Sequence, residues 1–102
     1  MEFSILSLKT LLFMKLQMHS IHFDASEQLL EFVQVKMDKL ELFYSRIIDG
    51  EVFLRIAKGE HSKENKMVEL KLNIPGQTLF AKEIADSFEA ATQEATDSLR
   101  RQ

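Results

Sequence analysis

One stretch near the N-terminus, residues 24–44 (DASEQLLEFVQVKMDKLELFY), constrains the fold more than any other part of the chain. At about 100° per residue, its large apolar side chains share one face of a helix. These residues are Leu29, Val33, Met37, Leu40 and Tyr44. Asp24 is suited to cap the helix, and Glu27 three residues later completes a start similar to a capping box. The stretch therefore predicts one amphipathic helix.

The charges of this predicted helix are sorted by side. Roughly opposite the apolar face lie Glu27, Glu31, Gln34, Asp38 and Glu41. Lys36 and Lys39, with Arg46 just beyond, line one flank of the apolar face. From sequence alone, the simpler interpretation is solvated cations whose aliphatic stems cover the edge of the core. The alternative is an edge of positive charge that suits a polyanion approached from one side.

Composition narrows the classes of function. A chain of 102 residues is large enough for one domain with a core and too small for two. The net charge of −3 argues against a protein that coats nucleic acid by bulk attraction, so any RNA or DNA contact needs a local basic patch. The chain has no cysteine, which excludes disulfides and thiolate chemistry and favours an intracellular location.

Four short segments alternate apolar and polar residues with the period of two that is typical of half-buried strands. They span residues 15–21, 51–57, 67–74 and 78–81. Asp49-Gly50 has turn chemistry, and Pro75-Gly76 has the residue order of a type II turn. Residues 58–66 (KGEHSKENK) predict a polar hairpin loop.

A second helix is predicted from residue 82 or 83 to the C-terminus. Its apolar face contains Ile84, Phe88, Ala91, Ala95 and Leu99. The fold class is therefore α+β, with the order β-α-β-β-β-α and a meander of strands two to four. Because each strand has one apolar face, we expect a four-stranded sheet with both helices packed on one side. The opposite sheet face would carry His19, Phe53, Arg55 and Lys71 and stay open to solvent or a partner.

Residues 1–13 (MEFSILSLKTLLF) require a separate interpretation. The apolar run is too short to span a bilayer and contains Lys9, and it lacks the features of a signal peptide. We expect Met14 to be the natural start, with residues 1–13 a leader that is not native or is dispensable, and residues 14–102 the domain. The alternative is an extra strand or helix that covers an exposed edge.

No enzyme or metal signature is present. The three glycines fit turns and form no phosphate-binding loop, and no serine lies in a nucleophile elbow. His19 and His22 fall on opposite faces of a strand end, and His61 lies in the predicted loop, whereas a zinc site needs three or four convergent ligands. We therefore predict no catalytic activity, no metal and no cofactor.

Three segments carry a resemblance to a known family. They are MKLQMHSIHF at residues 14–23, LLEFVQVKMDKLELFYSRI at residues 29–47 and LFAKEIADSFEAATQEATDSLRRQ at residues 79–102. Their order, spacing and helix ends resemble the ribosome hibernation promoting factors, also called sigma-54 modulation or ribosome-associated inhibitor proteins, over residues 14–102. The match is to the short form, since long forms carry a second C-terminal domain.

The resemblance implies a fold like that of double-stranded-RNA-binding domains and a cytoplasmic location. It also implies binding to the 30S ribosomal subunit and its 16S rRNA, in the channel that otherwise holds mRNA and tRNA. Translation would then be inhibited in stationary phase or stress, with no membrane and no small-molecule substrate involved. Whether such a protein promotes ribosome dimers or only inactive single ribosomes is left open.

Residue by residue, the basic positions of the family's first helix correspond to Lys36 and Lys39, followed by Arg46, and the last helix contributes Arg101. Ser98 departs from the family, which usually has lysine there, and this reduces the basic surface. Arg55 and Lys71 on the open sheet face are weaker RNA-binding candidates, because Glu69 nearby offers an ordinary cross-strand ion pair.

Two other classes of function stay open. The acidic stripe of the first helix would suit a regulator that binds a basic protein in a stress or sigma-factor pathway. The open sheet face would suit weak homo-oligomer formation. Steep loss of binding with salt would distinguish RNA contact from the first of these.

Overall fold

The computed structural model describes residues 15–57 and 65–102, and the described residues form four strands and two α-helices. The elements are β1 (Leu16–Ile21), α1 (Glu27–Asp38), β2 (Asp49–Ile56), β3 (Lys66–Ile74), β4 (Gln77–Ala85) and α2 (Phe88–Arg101). The predicted order β-α-β-β-β-α is confirmed. The predicted leader and most of the predicted loop at 58–66 lie outside the described residues. Neither described helix is long and apolar enough to cross a membrane.

The four strands form one mixed sheet in the order β1-β2-β3-β4. β1 runs parallel to β2, and β2, β3 and β4 form the predicted antiparallel meander. The turn between β3 and β4 contains Pro75 and Gly76, and Gly76 has a φ of +86°. This left-handed conformation is what the third position of a type II turn requires, and glycine adopts it without steric cost.

The core lies between the two helices and one face of the sheet. Alternate residues of β2 and β3 are fully buried there, as are the apolar faces of α1 and α2. The fully buried side chains include Val33, Met37, Val52, Leu54, Val68, Leu70, Leu72 and Leu99. The intervening strand residues, including Phe53, Arg55 and Lys71, project from the opposite face, and neither helix covers it. The predicted arrangement of two helices on one face is confirmed.

The first helix is shorter than predicted and has a different cap. Ser26, not Asp24, is the N-cap residue, and its Oγ accepts a hydrogen bond of 3.1 Å from the Leu29 amide. α1 ends at Asp38 and continues as a one-turn 3₁₀ helix, Lys39–Leu42. The tighter turn keeps Leu40 buried but leaves Leu42 81% exposed.

The Asp49-Gly50 dipeptide is part of β2 and does not form the predicted turn. Gly50 is buried and lies between Leu16 of β1 and Leu72 of β3, so it is paired on both sides. The Asn73 side-chain amide donates a hydrogen bond to the Asp49 carboxylate across the β2–β3 pair. Pairing with two neighbouring strands therefore outweighs the local turn preference of these residues.

The fourth strand is longer and the second helix shorter than predicted. β4 extends to Ala85, and α2 begins at Phe88 after Ser87, whose Oγ accepts a hydrogen bond of 3.0 Å from the Ala90 amide. Ile84, which was predicted to lie on the apolar face of the helix, is a β4 residue that is 40% exposed.

Candidate nucleic-acid interface

Both helices end at the same side of the molecule. The Tyr44 hydroxyl donates a hydrogen bond to the Leu99 carbonyl, so the segment that leaves α1 lies against the last turn of α2. Lys36 is in the last turn of α1, and Arg100 and Arg101 are in the last turn of α2. The negative end of each helix dipole favours these cations, so the fold itself stabilises a concentration of positive charge here.

The exposed ring of Phe43 is the common border of three adjoining surface depressions. We call their combined lining the Phe43 surface. Its charged residues are Lys36, Lys39, Arg46, Arg100, Arg101 and Asp97. Five cations and one carboxylate thus surround one aromatic ring, in a chain whose net charge is −3. Because the chain as a whole is acidic, contact with a polyanion needs a local basic patch, and the Phe43 surface is such a patch.

The cations of the Phe43 surface are held by aromatic and ionic contacts. The Arg100 guanidinium carbon lies 4.4 Å from the centroid of the Phe43 ring, and Arg100 Nη1 lies 3.5 Å from Asp97 Oδ1. Lys36 Nζ lies 5.4 Å from the centroid of the Phe32 ring. Such cation–π contacts fix the direction of a side chain while the charge stays accessible. Lys39, Arg46 and Arg101 are exposed.

One of the three depressions is a groove between the 3₁₀ turn and α2. Its volume is about 240 Å³, and Lys36, Lys39, Phe43 and Arg100 are among the residues that line it. Small-molecule sites usually measure about 300–1,000 Å³ and are more enclosed. The groove is therefore a shallow contact surface. Lys36, Lys39 and Arg100 give it positive charge and can donate hydrogen bonds to a ligand.

Arg55 and Lys71 lie on the other side of the sheet from the Phe43 surface. Arg55 Nη2 is 3.3 Å from Glu69 Oε1, which is the ion pair considered as the alternative to RNA contact. Lys71 is exposed and lies opposite Glu51 in β2 and Phe80 in β4. The structure thus brings together Lys36, Lys39, Arg46 and Arg101, and it separates them from Arg55 and Lys71.

His19 also lies on the open sheet face, within a small polar and aromatic cluster. Its Nε2 is 2.9 Å from Glu51 Oε2, and its ring stacks on that of Phe53 at a centroid distance of 4.8 Å. Within residues 15–57 and 65–102, no group of three or more His, Cys, Asp or Glu side chains is placed to hold a metal ion. His61 lies outside the described residues.

Phe43 and Arg100 of the Phe43 surface were not identified as site residues from the sequence. Phe43 follows Leu42 and lies outside the apolar stripe of the predicted helix, which is the pattern of an exposed aromatic side chain. Arg100 is adjacent to Arg101, and only the packing of α2 reveals that Arg100 faces the groove. The exposed aromatic residue was detectable from helical periodicity, whereas the position of Arg100 relative to α1 was not.

Comparison with known proteins decides the family. A family model described as "Sigma 54 modulation protein / S30EA ribosomal protein" matches residues 16–102. The chain belongs to this family. A ribosome hibernation promotion factor from Deinococcus radiodurans is 29% identical to it over 86 residues. The alignment covers 84% of this chain and 45% of that protein, so the chain spans about half the length of this curated relative.

Solved structures support the fold. A ribosomal subunit interface protein from Coxiella burnetii aligns with a TM-score of 0.71 at 22% identity, covering 86% of this chain and 91% of that one. The N-terminal domain of Protein Y from Thermus thermophilus aligns with a TM-score of 0.68 at 15% identity, covering 86% and 93%. At these identities the structural similarity shows only that this chain has the same β-α-β-β-β-α fold.

Proposed function

We propose that this protein is a non-enzymatic, cytoplasmic factor that binds the small ribosomal subunit at the mRNA and tRNA channel and inhibits translation in stationary phase or stress. The observation that carries the proposal is the Phe43 surface, where five cations and one carboxylate are concentrated on an acidic protein. Family membership and the name of the Deinococcus relative, a ribosome hibernation promotion factor, support the choice of the ribosome as the partner.

The proposed mechanism combines electrostatic attachment with steric exclusion. Lys36, Lys39, Arg46 and Arg101, together with Arg100, bind 16S rRNA phosphates, and each neutralised phosphate releases condensed counterions. Four of these cations are carried by the end of α1, the 3₁₀ turn that follows it and the end of α2, and Arg46 lies in the loop beyond that turn. Because the two helices are packed together, the backbone spacing of the four is set before binding, and RNA is selected by shape. The folded domain then occupies space that mRNA and tRNA need.

Arg55 and Lys71 form a secondary contact area in this proposal. They lie on the opposite face of the sheet, so the same stretch of rRNA does not reach both areas. Arg55 already has an anionic partner in Glu69, and an RNA phosphate would have to compete with that carboxylate. We therefore assign the principal role to the Phe43 surface and a smaller one to Lys71 and Arg55.

Co-sedimentation with purified ribosomal subunits tests the proposal. We expect the protein to pellet with small subunits and not with large subunits, and to be released as salt rises. Preloading the small subunits with mRNA and initiator tRNA should reduce binding, and adding the protein to a cell-free translation reaction should reduce synthesis. Equal binding to both subunits, or binding that mRNA and tRNA do not affect, would contradict the proposed channel site. Binding to a basic protein without any ribosomal binding would favour the interaction-regulator alternative.

A further inference from the structure

The most distinctive feature of the Phe43 surface is an aromatic ring at its centre. Phe43 is 51% exposed, although phenylalanine side chains are usually buried in a core. It lies next to Leu42, the most exposed of the large apolar residues in the described part of the chain. Phosphate binding by cations alone gives no reason to leave a ring in solvent among them. The ring therefore requires an explanation of its own.

We propose that Phe43 is a stacking position for one unpaired base of a single-stranded RNA segment, and that Arg100 supports the ring from its other side. This inference rests on the proposed function and deepens it: the protein would recognise a splayed-out nucleotide as well as phosphates. The surface would thus bind a single-stranded or looped element, because bases inside a duplex do not present their faces to a protein.

The geometry around the ring fits this assignment. The Arg100 guanidinium carbon lies over one face of the Phe43 ring, 4.4 Å from its centroid, so it holds the ring and places positive charge behind the face proposed to take the base. Lys36 and Lys39 line the groove on one side of the ring, Arg101 lines a second depression, and Arg46 lines a third. Phosphates on either side of a base stacked at Phe43 would therefore meet cations in more than one direction.

Charge complementarity selects the class of partner. An aromatic platform bordered by a basic groove is the combination by which proteins bind single-stranded nucleic acid without strict sequence preference. The alternative occupant is an acidic, amphipathic segment of a ribosomal protein, which would use the same cations and the same apolar surface. Five cations arranged around a ring favour a repeating polyanion, whose charges are spaced along a chain, and the experiment separates the two partners.

The chain offers a matched control for Phe43. Phe80 of β4 is 52% exposed, almost the same fraction, but it lies on the open sheet face opposite Lys71, away from the five cations of the Phe43 surface. Phe43→Ala and Phe80→Ala remove rings of equal exposure from opposite sides of the molecule. Phe43→Tyr keeps an aromatic ring, Phe43→Leu keeps apolar character only, and Arg100→Lys keeps the charge without the planar guanidinium.

The experiment measures affinity for purified small subunits as a function of salt, and fluorescence of a single-stranded RNA hexamer that contains one 2-aminopurine. We expect Phe43→Ala to weaken small-subunit binding by roughly 5- to 150-fold, the range that a lost base–aromatic stack gives. Because a neutral ring releases no counterions, the slope of log affinity against log salt should not change. Phe43→Tyr and Phe80→Ala should bind as the unmodified protein does, and Phe43→Leu and Arg100→Lys should bind more weakly.

The fluorescence arm identifies the partner. Stacking should quench the 2-aminopurine signal with the unmodified protein and with Phe80→Ala, but not with Phe43→Ala. If Phe43→Ala weakens small-subunit binding and the hexamer is not quenched by any form, the ring contacts a ribosomal protein and the inference is wrong. If the unmodified protein binds small subunits and Phe43→Ala binds equally well, the inference is wrong while the proposed function stands. If the unmodified protein does not bind small subunits, the proposed function itself fails.

Discussion

At the scale of single residues, the position of a side chain relative to the end of α1 decides what it does. Leu40 and Leu42 are two residues apart in the same 3₁₀ turn, and one is fully buried while the other is largely exposed. Phe43 follows with its ring in solvent, in contact with Arg100.

The start of α1 gives a prediction for two neighbouring polar residues. Ser26→Ala should lower the free energy of unfolding by about 1 kcal/mol, because the Leu29 amide loses the hydroxyl that caps it. Asp24→Ala, the matched control, should change it by less than about 0.5 kcal/mol, because Asp24 is exposed and lies outside the helix. Urea denaturation of the two variants measures both values. A larger loss with Asp24→Ala would mean that Asp24 is the true cap in solution.

Lys36 and Lys39 were named from the period of a single helix, whereas Arg101 was named from the family resemblance. Lys36 and Lys39 lie on one flank of an apolar stripe, and this needs no knowledge of the rest of the fold. Arg100 becomes part of the same surface only because α2 packs beside the end of α1. Which distant elements come into contact depends on how they pack. Local patterns in a single sequence do not show this packing.

At the scale of elements, one hydrogen bond joins the two helix ends that form the Phe43 surface. The Tyr44 hydroxyl donates to the Leu99 carbonyl in the last turn of α2, which also accepts a hydrogen bond of 3.1 Å from the Gln102 amide at the C-cap. This bond ties the segment that carries Phe43 and Arg46 to the helix that carries Arg100 and Arg101. The bond therefore contributes to the placement of Arg46 relative to Arg100 and Arg101.

Removing this hydroxyl should have a local and measurable effect. Tyr44→Phe should lower the free energy of unfolding by about 1 kcal/mol and speed hydrogen exchange at the end of α2, because the hydrogen bond between the two segments is lost and the Leu99 carbonyl keeps only the Gln102 amide as a donor. Thr78→Val is the control, since Thr78 donates to Asn73 at an exposed position where water replaces the bond. The control should change stability by less than about 0.5 kcal/mol. Unchanged exchange at the end of α2 in Tyr44→Phe would mean that the bond does not hold the two segments together.

Element identities were predictable, and element ends were not. Residues 82–85 (KEIA) have good helical propensity, so the sequence favoured an early start for α2. In the folded chain, Lys82 pairs with Glu69 and Ile84 pairs with Met67 of β3. The helix therefore begins only at Phe88, after the N-cap residue Ser87. The same cause places Asp49 and Gly50 in a strand. Cross-strand pairing involves residues distant in sequence, so local preference fails at the ends of strands.

At the scale of the whole molecule, the domain has a continuous core between residues 29 and 99, formed by both helices and one face of the sheet. The order of elements, the meander and the side on which the helices pack were all predictable, because they follow from the alternation and period of apolar residues along the chain. The parallel pairing of β1 with β2 completes the four-stranded sheet.

We predict that residues 14–102 fold by themselves. Deleting residues 1–13 should change the free energy of unfolding by less than about 1 kcal/mol, because the alternating apolar pattern of the first strand begins at Leu16 and the family match begins at the same residue. Thermal and urea denaturation of the shortened and full chains measure the difference. A loss of several kcal/mol would mean that residues 1–13 contribute to the folded domain.

In the proposed function, the Phe43 surface binds the small ribosomal subunit. A salt titration of binding to purified small subunits tests this, with Lys36→Gln/Lys39→Gln compared with Lys15→Gln/Lys82→Gln. The control removes the same charge from two exposed lysines outside that surface. We predict that the first variant binds more weakly, with a slope of log affinity against log salt that is shallower by about 1.4–1.8, as expected for two lost phosphate contacts. The control should keep both the affinity and the slope of the unmodified protein. Equal slopes for both variants and the unmodified protein would contradict the claim.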